Sequence, residues 1–296
     1  MKILVSGLLN METTSAVRGF PINYYPIDYP FFGVNSSPAG VAYNISLALT
    51  ALGDEVKLCS MLGNDFTSEY IMSSLNKAGI ETGEIKNVLP ETPSSVVLYA
   101  PDGRRQIYCD LKDIQEREYN FDNSALDGID LVVACNINFN RQLLRLAKEQ
   151  GKTVATDVHV LSNIYDEYNR EFMEYADILF LSDEMIGDNY RDFVFALANT
   201  YQSRIIVVGR GSLGAAIYMR ESGEITELPA YNNVGVVNTV GAGDALFSAF
   251  LHFYSKGMKP IDALWRAEIF AALKIRENGA AKGFVTENEI DEIINQ

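Results

Sequence analysis

Short, almost continuous apolar runs recur along the chain, and segments long enough to form helices separate most of them. The runs are rich in valine, isoleucine and leucine, and they lie at residues 3–5, 56–62, 131–134, 154–155, 178–181 and 205–208. Strands that are apolar on both faces are typical of parallel sheets covered by helices on both sides. The sequence therefore predicts an α/β fold with a mostly parallel central sheet.

Two stretches do not fit this alternation. Residues 20–33 are rich in proline, tyrosine and phenylalanine, and residues 94–112 hold two strand-like segments around a Pro101-Asp102-Gly103 turn. The second stretch is typical of a β-hairpin. With 296 residues, of which 48% are hydrophobic, the chain can bury one large core. We therefore expect a single domain over residues 1–296, with insertions at approximately residues 10–35 and 94–112.

Charge and composition limit the partners. The 24 basic and 39 acidic residues give a formal net charge of −15, which opposes nonspecific binding to nucleic acid or to an anionic membrane. The N-terminal apolar run is too short for a signal peptide, and no run approaches a membrane span, so we expect a cytoplasmic protein. Cys59, Cys109 and Cys135 lie in strand-like runs without a CxxC spacing, which predicts buried free thiols.

A loop of small residues leads into an apolar segment with helical spacing. It reads Val237-Asn238-Thr239-Val240-Gly241-Ala242-Gly243-Asp244. Unpaired backbone N–H groups and the helix dipole favour an anion at such a helix start. Beside a transferring phosphoryl group, the Asp244 carboxylate can accept the proton of an attacking hydroxyl, while the amides of Gly241, Ala242 and Gly243 form an anion hole. The alternative is that Asp244 only caps the helix.

A second segment bears on this choice. It runs Ala39-Gly40-Val41-Ala42-Tyr43-Asn44-Ile45-Ser46 and continues to Gly53 and Gly63. Taken with the Gly-Ala-Gly-Asp loop, it resembles the two signature regions of the PfkB, or ribokinase-like, family of carbohydrate and nucleoside kinases. The resemblance extends over the whole chain. It implies a ribokinase-like three-layer αβα fold, with a small β-sheet lid built from the two insertions.

The resemblance also implies which residues hold the acceptor hydroxyls. They fall on Asn10 or Glu12, on Gly40 and on Asn44. Glu12 stands where the family usually has aspartate, and Ala39-Gly40 replaces the usual pair of glycines. An alternative for Asn44 is a polar side chain satisfied within the first turn of its own helix. Asp157 joins this set because it ends a strand at the edge where open α/β sheets bind ligands; nearby His159 is left out, since a lone loop histidine is more often incidental.

A glycine-rich turn follows the apolar run at 205–208. Its sequence, Gly209-Arg210-Gly211-Ser212-Leu213-Gly214, matches the GxGxxG pattern of dinucleotide sites. That pattern needs a following helix, whereas residues 215–219 are typical of a strand, so we exclude a Rossmann site. The resemblance instead places Gly209, Arg210, Gly211 and Gly214 beside the ATP phosphates, together with Thr239 and Asn278; a purely structural hairpin turn is the alternative.

One family motif is altered. The family commonly has Asn-x-x-Glu after a central strand, acting through water on magnesium and the phosphates, whereas Ser182 and Met185 occupy those positions here. Asp183 or Glu184 can replace them as outer-shell carboxylates, since Mg²⁺ keeps several waters. Weakened metal use is the other interpretation. The resemblance thus implies ATP and Mg²⁺ as cofactors and leaves a monovalent cation open.

The sequence therefore favours an ATP-dependent phosphotransferase that phosphorylates a hydroxyl, expected to be a primary one, of a small sugar. A nucleoside kinase of the same family is the close alternative, because the aromatic residues at 23–32 can stack on a base. They can equally form a homodimer through the lid. A catalytically weak sugar- or nucleotide-binding regulator is a third hypothesis. The intact Asp244 argues against it, because a binder needs no base in its anion hole.

Overall fold

A computed structural model describes residues 1–232, 235–277 and 279–295. Its strands are β1 (Lys2–Ser6), β2 (Asn10–Ala16), β3 (Val34–Ala39), β4 (Glu55–Leu62), β5 (Ile85–Asn87), β6 (Ser94–Tyr99), β7 (Arg105–Asp110), β8 (Leu131–Ala134), β9 (Thr153–Val160), β10 (Ile178–Ser182), β11 (Ile205–Gly209), β12 (Ala215–Met219) and β13 (Glu224–Leu228). Its helices are α1 (Val41–Ala51), α2 (Phe66–Lys77), α3 (Arg141–Glu149), α4 (Arg170–Tyr175), α5 (Tyr190–Thr200), α6 (Ala242–Ser255), α7 (Pro260–Lys274) and α8 (Glu287–Ile294).

A large sheet forms the centre of the fold. Within the described residues its nine strands lie in the order β13-β12-β11-β10-β9-β8-β1-β4-β5. Neighbouring strands from β11 to β5 pair in parallel, while β12 and β13 add an antiparallel edge beside β11. All six apolar runs singled out in the sequence are strands of this sheet, so the predicted parallel architecture is confirmed.

Alternate residues of the central strands enter two separate cores. On β1, Ile3 and Val5 pack into the core under α1, α6 and α7, whereas Leu4 packs into the core under α3, α4 and α5. Full burial of one such side chain stabilises the fold by about 1.5–3 kcal/mol. Because both faces of the sheet are apolar, helices must cover both of them. The predicted three-layer αβα arrangement is therefore confirmed.

A small second sheet is built from the insertions. Its four strands within the described chain lie in the order β3-β2-β6-β7, and β6 and β7 form the hairpin predicted from the sequence. Residues 20–33 form no strand and connect β2 to β3 as an irregular loop, which we call the aromatic loop. Prolines 21, 26 and 30 lack the N–H that a sheet ladder requires, which explains why the strands flank this segment.

The cysteines follow the prediction only in part. All three are free, and Cys59 and Cys135 are buried, but Cys109 is exposed. The prediction of burial was wrong for Cys109 because it lies on β7, an edge strand of the small sheet whose residues are exposed throughout. None of the helices in the described parts of the chain is long and apolar enough to cross a membrane.

Candidate active site

Two helix N-termini meet at the carboxyl edge of the central sheet. α1 begins directly after Gly40, and α6 begins directly after Gly241. Asn44 in the first turn of α1 donates a hydrogen bond from Nδ2 to Oδ2 of Asp244 in the first turn of α6, at 2.7 Å. Asn44 is thus not satisfied within its own helix, and its buried Oδ1 accepts no hydrogen bond from any described residue. The structure brings a predicted acceptor residue and the predicted base into direct contact.

The surroundings of Asp244 favour a basic carboxylate. Burial raises the pKa of Asp244, and the neighbouring carboxylate of Asp157 raises it further. Positive charge on His159, the hydrogen bond from Asn44 and positive charge on Lys274 act in the opposite direction, so the pKa lies above the ordinary aspartate value. A general base is more effective when its pKa lies closer to the working pH.

Asp157 and His159, near the end of β9, interact electrostatically with Asp244. The backbone N–H of His159 donates to Oδ1 of Asp157 at 2.7 Å, and Nδ1 of His159 lies 3.4 Å from Oδ2. His159 adopts a left-handed backbone conformation with φ of 58°, which is uncommon for a residue with a side chain. Burial lowers the pKa of His159, but attraction to Asp157 and Asp244 outweighs it and raises the pKa to about 9. His159 is therefore a cation at neutral pH, and setting it aside as incidental missed that charge.

One cavity of about 370 Å³ joins Asp157 and His159 with the glycine-rich turn and with Gly243, the residue before Asp244. Its lining includes many of the residues named from the sequence as catalytic, acceptor-binding, nucleotide-binding or metal-binding, namely Asp157, Glu184, Gly209, Gly211, Gly214, Thr239, Ala242 and Gly243. Asp244, Asn44 and the other predicted acceptor residues, Asn10, Glu12 and Gly40, are not in this lining. The segment after Gly214 is strand β12, as predicted, and not the helix that a Rossmann site requires. Asn278, the remaining predicted nucleotide residue, lies outside the described residues.

The two glycines of the loop before α6 differ in what they require. Gly241 has φ of 79°, and a Cβ there would lie 2.4 Å from the carbonyl oxygen of Ala280. Only glycine fits this close approach of two backbone segments. A Cβ on Gly243 would meet no atom within 4 Å, because that position opens on the cavity. The first glycine therefore serves the backbone, and the second leaves room for a ligand.

The predicted acceptor residues of the N-terminal region lie on the small sheet and at its junction with α1. Asn10 donates from Nδ2 to Oγ of Ser95 at 3.0 Å, and its buried Oδ1 has no partner in the part of the chain that the structure describes. Burial raises the pKa of Glu12, against the lowering effect of the positive charge on Arg105. Gly40 has φ of 107°, and a Cβ there would lie 2.4 Å from the carbonyl oxygen of Leu8. Gly40 therefore sets the backbone at the start of α1.

Arg210 contacts three other side chains. Its Nη1 donates to Oε2 of Glu227 at 3.0 Å, its Nε lies 3.7 Å from Oδ2 of Asp183, and its guanidinium lies 4.3 Å from the ring centroid of Tyr190. These partners compete with any phosphate for the same charge. Burial raises the pKa of Asp183, and Arg210 opposes that shift.

The described residues contain no group of three or more acidic, histidine or cysteine side chains able to hold a metal ion. Glu184 is exposed and lines the cavity, so its carboxylate is available to hold the water shell of Mg²⁺. Such a site fits a magnesium ion whose inner ligands come mainly from nucleotide phosphates and water.

Two further charged side chains line the cavity and were not found from the sequence. Arg105 extends from β7 of the small sheet, and no ion pair of Arg105 occurs within the described part of the chain. Glu268 of α7 is buried, and burial raises its pKa to about 7. Both residues lie far in sequence from the glycine-rich loops and belong to segments with no motif, so no local signal identified them.

These observations can be set beside known proteins. A family model described as pfkB family carbohydrate kinase matches residues 1–287. The chain belongs to this family. Within the pfkB family, it is 26% identical over 296 aligned residues to the 5-dehydro-2-deoxygluconokinase of Clostridium perfringens, covering 88% of this chain and 85% of that protein.

Two solved structures share the fold of this pfkB protein. A microbiome-derived acarbose kinase has a TM-score of 0.88 at 22% identity, covering 100% of this chain and 99% of the other. The ribokinase of Arabidopsis thaliana, solved with ribose and ATP, has a TM-score of 0.85 at 17% identity, covering 99% of this chain and 98% of the other. The ribokinase-like fold expected from the sequence is confirmed.

Replacement of Asp244 tests its role as a base. Asp244→Asn keeps the size of the side chain but removes its ability to accept a proton, so we expect kcat to fall by roughly 100- to 10,000-fold. Nucleotide affinity, measured by calorimetry, should change little. Asp127→Asn, an exposed aspartate distant from the motifs, is the matched control and should retain full turnover. Unchanged turnover in folded Asp244→Asn protein would show that Asp244 is only a helix cap.

The loop glycines give a second, paired prediction. Gly243→Val should leave the melting temperature near that of the unmodified protein, because the new side chain enters open space, but it should block phosphate approach and lower both nucleotide affinity and kcat. Gly241→Ala should lower the melting temperature as well, because its Cβ would collide with Ala280. Normal kinetics in Gly243→Val would contradict the anion-hole assignment.

Proposed function

We propose that this pfkB kinase transfers the γ-phosphoryl group of ATP to a hydroxyl, expected to be primary, of a small sugar. The observation that carries the proposal is the position of Asp244. Its carboxylate, with a raised pKa, lies at the N-terminus of α6 beside a cavity shared with the glycine-rich turn. The similarity to a ribokinase solved with ribose and ATP supports the same pair of substrates.

The proposed chemistry is an in-line displacement. Asp244 accepts the proton of the acceptor hydroxyl as the oxygen forms a bond to the γ-phosphorus, and the bond from phosphorus to the ADP oxygen breaks. The amides at 241–244 and the dipole of α6 stabilise negative charge on the transferring group. His159, held as a cation by Asp157 and Asp244, adds positive charge to the lining of the cavity. Magnesium, when bound with the nucleotide, neutralises phosphate charge.

Several groups on the acceptor side suit a polyhydroxylated ligand. Asn10 and Asn44 each carry a buried amide oxygen that has no hydrogen-bond partner among the described residues, and the negative charge of Asp244 contributes to the raised pKa of Glu12. Hydrogen-bonding sites of this kind discriminate strongly for substrates that offer hydroxyl groups. We therefore assign Asn10, Glu12, Gly40, Asn44 and Asp157 to the acceptor and the Gly209–Gly214 turn with Thr239 to the nucleotide.

The aromatic loop supports a sugar over a nucleoside. Tyr24, Phe31 and Phe32 are largely exposed, so their rings face solvent. The rings of Tyr29 and Phe31 stack on each other, with centroids 6.2 Å apart. A base-stacking platform requires a ring facing the ligand. Exposed apolar side chains instead suit a homodimer through the lid, which we retain as a proposal.

Turnover of a defined panel tests the function. Neutral sugars, sugar acids and nucleosides are each incubated with ATP and Mg²⁺, and ADP release is followed by a coupled assay. We expect turnover with one or more sugars and none with nucleosides. Sugar acids belong in the panel because Arg105 lines the cavity and has no ion pair with any other described residue. With an acidic acceptor, Arg105→Met should raise KM more than it changes kcat.

Two other outcomes of the acceptor panel would contradict the proposed sugar kinase. A nucleoside as the best acceptor would establish the alternative kinase. Tight ligand binding by calorimetry without turnover of any acceptor would favour the sugar- or nucleotide-binding regulator and would overturn the proposed reaction.

A further inference from the structure

A fully buried lysine that belongs to no sequence motif contacts the loop before α6. Lys274 is the last residue of α7, and its exposed fraction is 0%. Its Nζ donates a hydrogen bond to the carbonyl oxygen of Val240. Lysine is almost never fully buried unless its charge is compensated. The buried ammonium of Lys274 therefore needs compensating partners inside the protein.

The end of α7 holds the loop that precedes α6. The backbone N–H groups of Val237 and Asn238 both donate to the carbonyl oxygen of Ile275, at 2.8 Å and 3.1 Å. The Lys274 ammonium adds a third tie at Val240, immediately before Gly241. The backbone conformation of residues 237–240 is therefore fixed by two consecutive residues of the α7 terminus. The amides at 241–244 take their direction from that segment.

Lys274 also interacts electrostatically with the carboxylates of Asp244 and Glu12. Burial lowers the pKa of Lys274, while Asp244 and Glu12 raise it, and the result is a pKa of about 8. The ammonium is thus protonated at neutral pH. In return, its positive charge opposes the rise in pKa of Asp244 and of Glu12. The charge of Lys274 therefore favours the ionised form of Asp244, which is the form that a general base requires.

We propose that Lys274 is a positioning residue for the phosphoryl transfer proposed above: its ammonium fixes the Val240 carbonyl and the anion-hole loop, and replaces a bound monovalent cation there. The inference rests on the proposed function for its kinetic consequences. A monovalent cation beside this loop would take backbone carbonyl oxygens as ligands. The Val240 carbonyl already accepts from Nζ, and a second cation would meet a like charge. The monovalent cation left open by the sequence therefore does not fit at Val240.

The unmodified enzyme gives the first test. Activity is measured with tetramethylammonium as the only monovalent cation and again with added potassium. We expect kcat to be the same in both, because the internal ammonium already supplies the charge. Stimulation of kcat by potassium of fivefold or more would overturn the proposal.

Paired variants give the second test. Lys274→Ala removes the charge and leaves a cavity, whereas Lys274→Met removes the charge and fills the space. Loss of a positioning group can cost about 100-fold in rate, and we expect kcat to fall by roughly that amount in both variants. Potassium or methylammonium should restore at least tenfold in Lys274→Ala but not in Lys274→Met. Lys256→Met, which removes an exposed lysine paired with Glu287, should behave as unmodified.

A readout without acceptor separates this proposal from the proposed function. Potassium should raise the melting temperature of Lys274→Ala by roughly 2–4 °C more than it raises that of the unmodified protein, because a cation that binds only the folded state stabilises it. This shift is expected whether or not a sugar is turned over. A folded Lys274→Ala protein whose melting temperature and kcat are indifferent to small cations would reduce Lys274 to a structural residue and overturn the proposal. If Lys274→Ala does not fold, full kcat in Lys274→Met would overturn it equally.

Discussion

The hydrogen bond between Asn44 and Asp244 joins the two halves of the candidate site, and the other features of the site are arranged around it. It links residues 200 positions apart, each in the first turn of a helix that begins directly after a glycine with a positive φ. α1 and α6 both pack on the same face of the central sheet. Their N-termini therefore converge at the carboxyl edge of the strands, where open α/β sheets bind ligands.

Charge balance is the second constraint on this edge. Glu12, Asp157 and Asp244 gather three carboxylates in a partly desolvated region, and burial raises the pKa of Glu12 and of Asp244. His159 and Lys274 supply cations from separate elements, β9 and the end of α7. Because the overall charge of the protein is strongly negative, these local cations and the backbone amides at the helix starts are the features that favour an anion at this edge.

The sequence predicted the architecture and much of the candidate site. The apolar runs predicted the strands because residues buried on both faces leave a continuous hydrophobic record, and the Pro101-Asp102-Gly103 turn predicted the hairpin. Asp157, Gly209, Thr239 and Gly243 line one cavity. They could be predicted because strand ends and glycine-rich turns are recognisable in the local sequence. No local signal in the sequence identified Arg105, Glu268 and Lys274, because a charged residue on a helix or an edge strand is ordinarily solvent-exposed.

By itself, therefore, the sequence determined the parallel three-layer fold, the family and the loops at which anions are expected, since periodicity and glycine positions act within a few residues along the chain. Only the tertiary structure decided that Asn44 contacts Asp244, that Arg210 is held by Glu227, that Cys109 is exposed and that Lys274 is buried beneath Val240. Each of these depends on how distant elements pack. Burial, ion pairing and the resulting pKa shifts are properties of that packing and not of any segment alone.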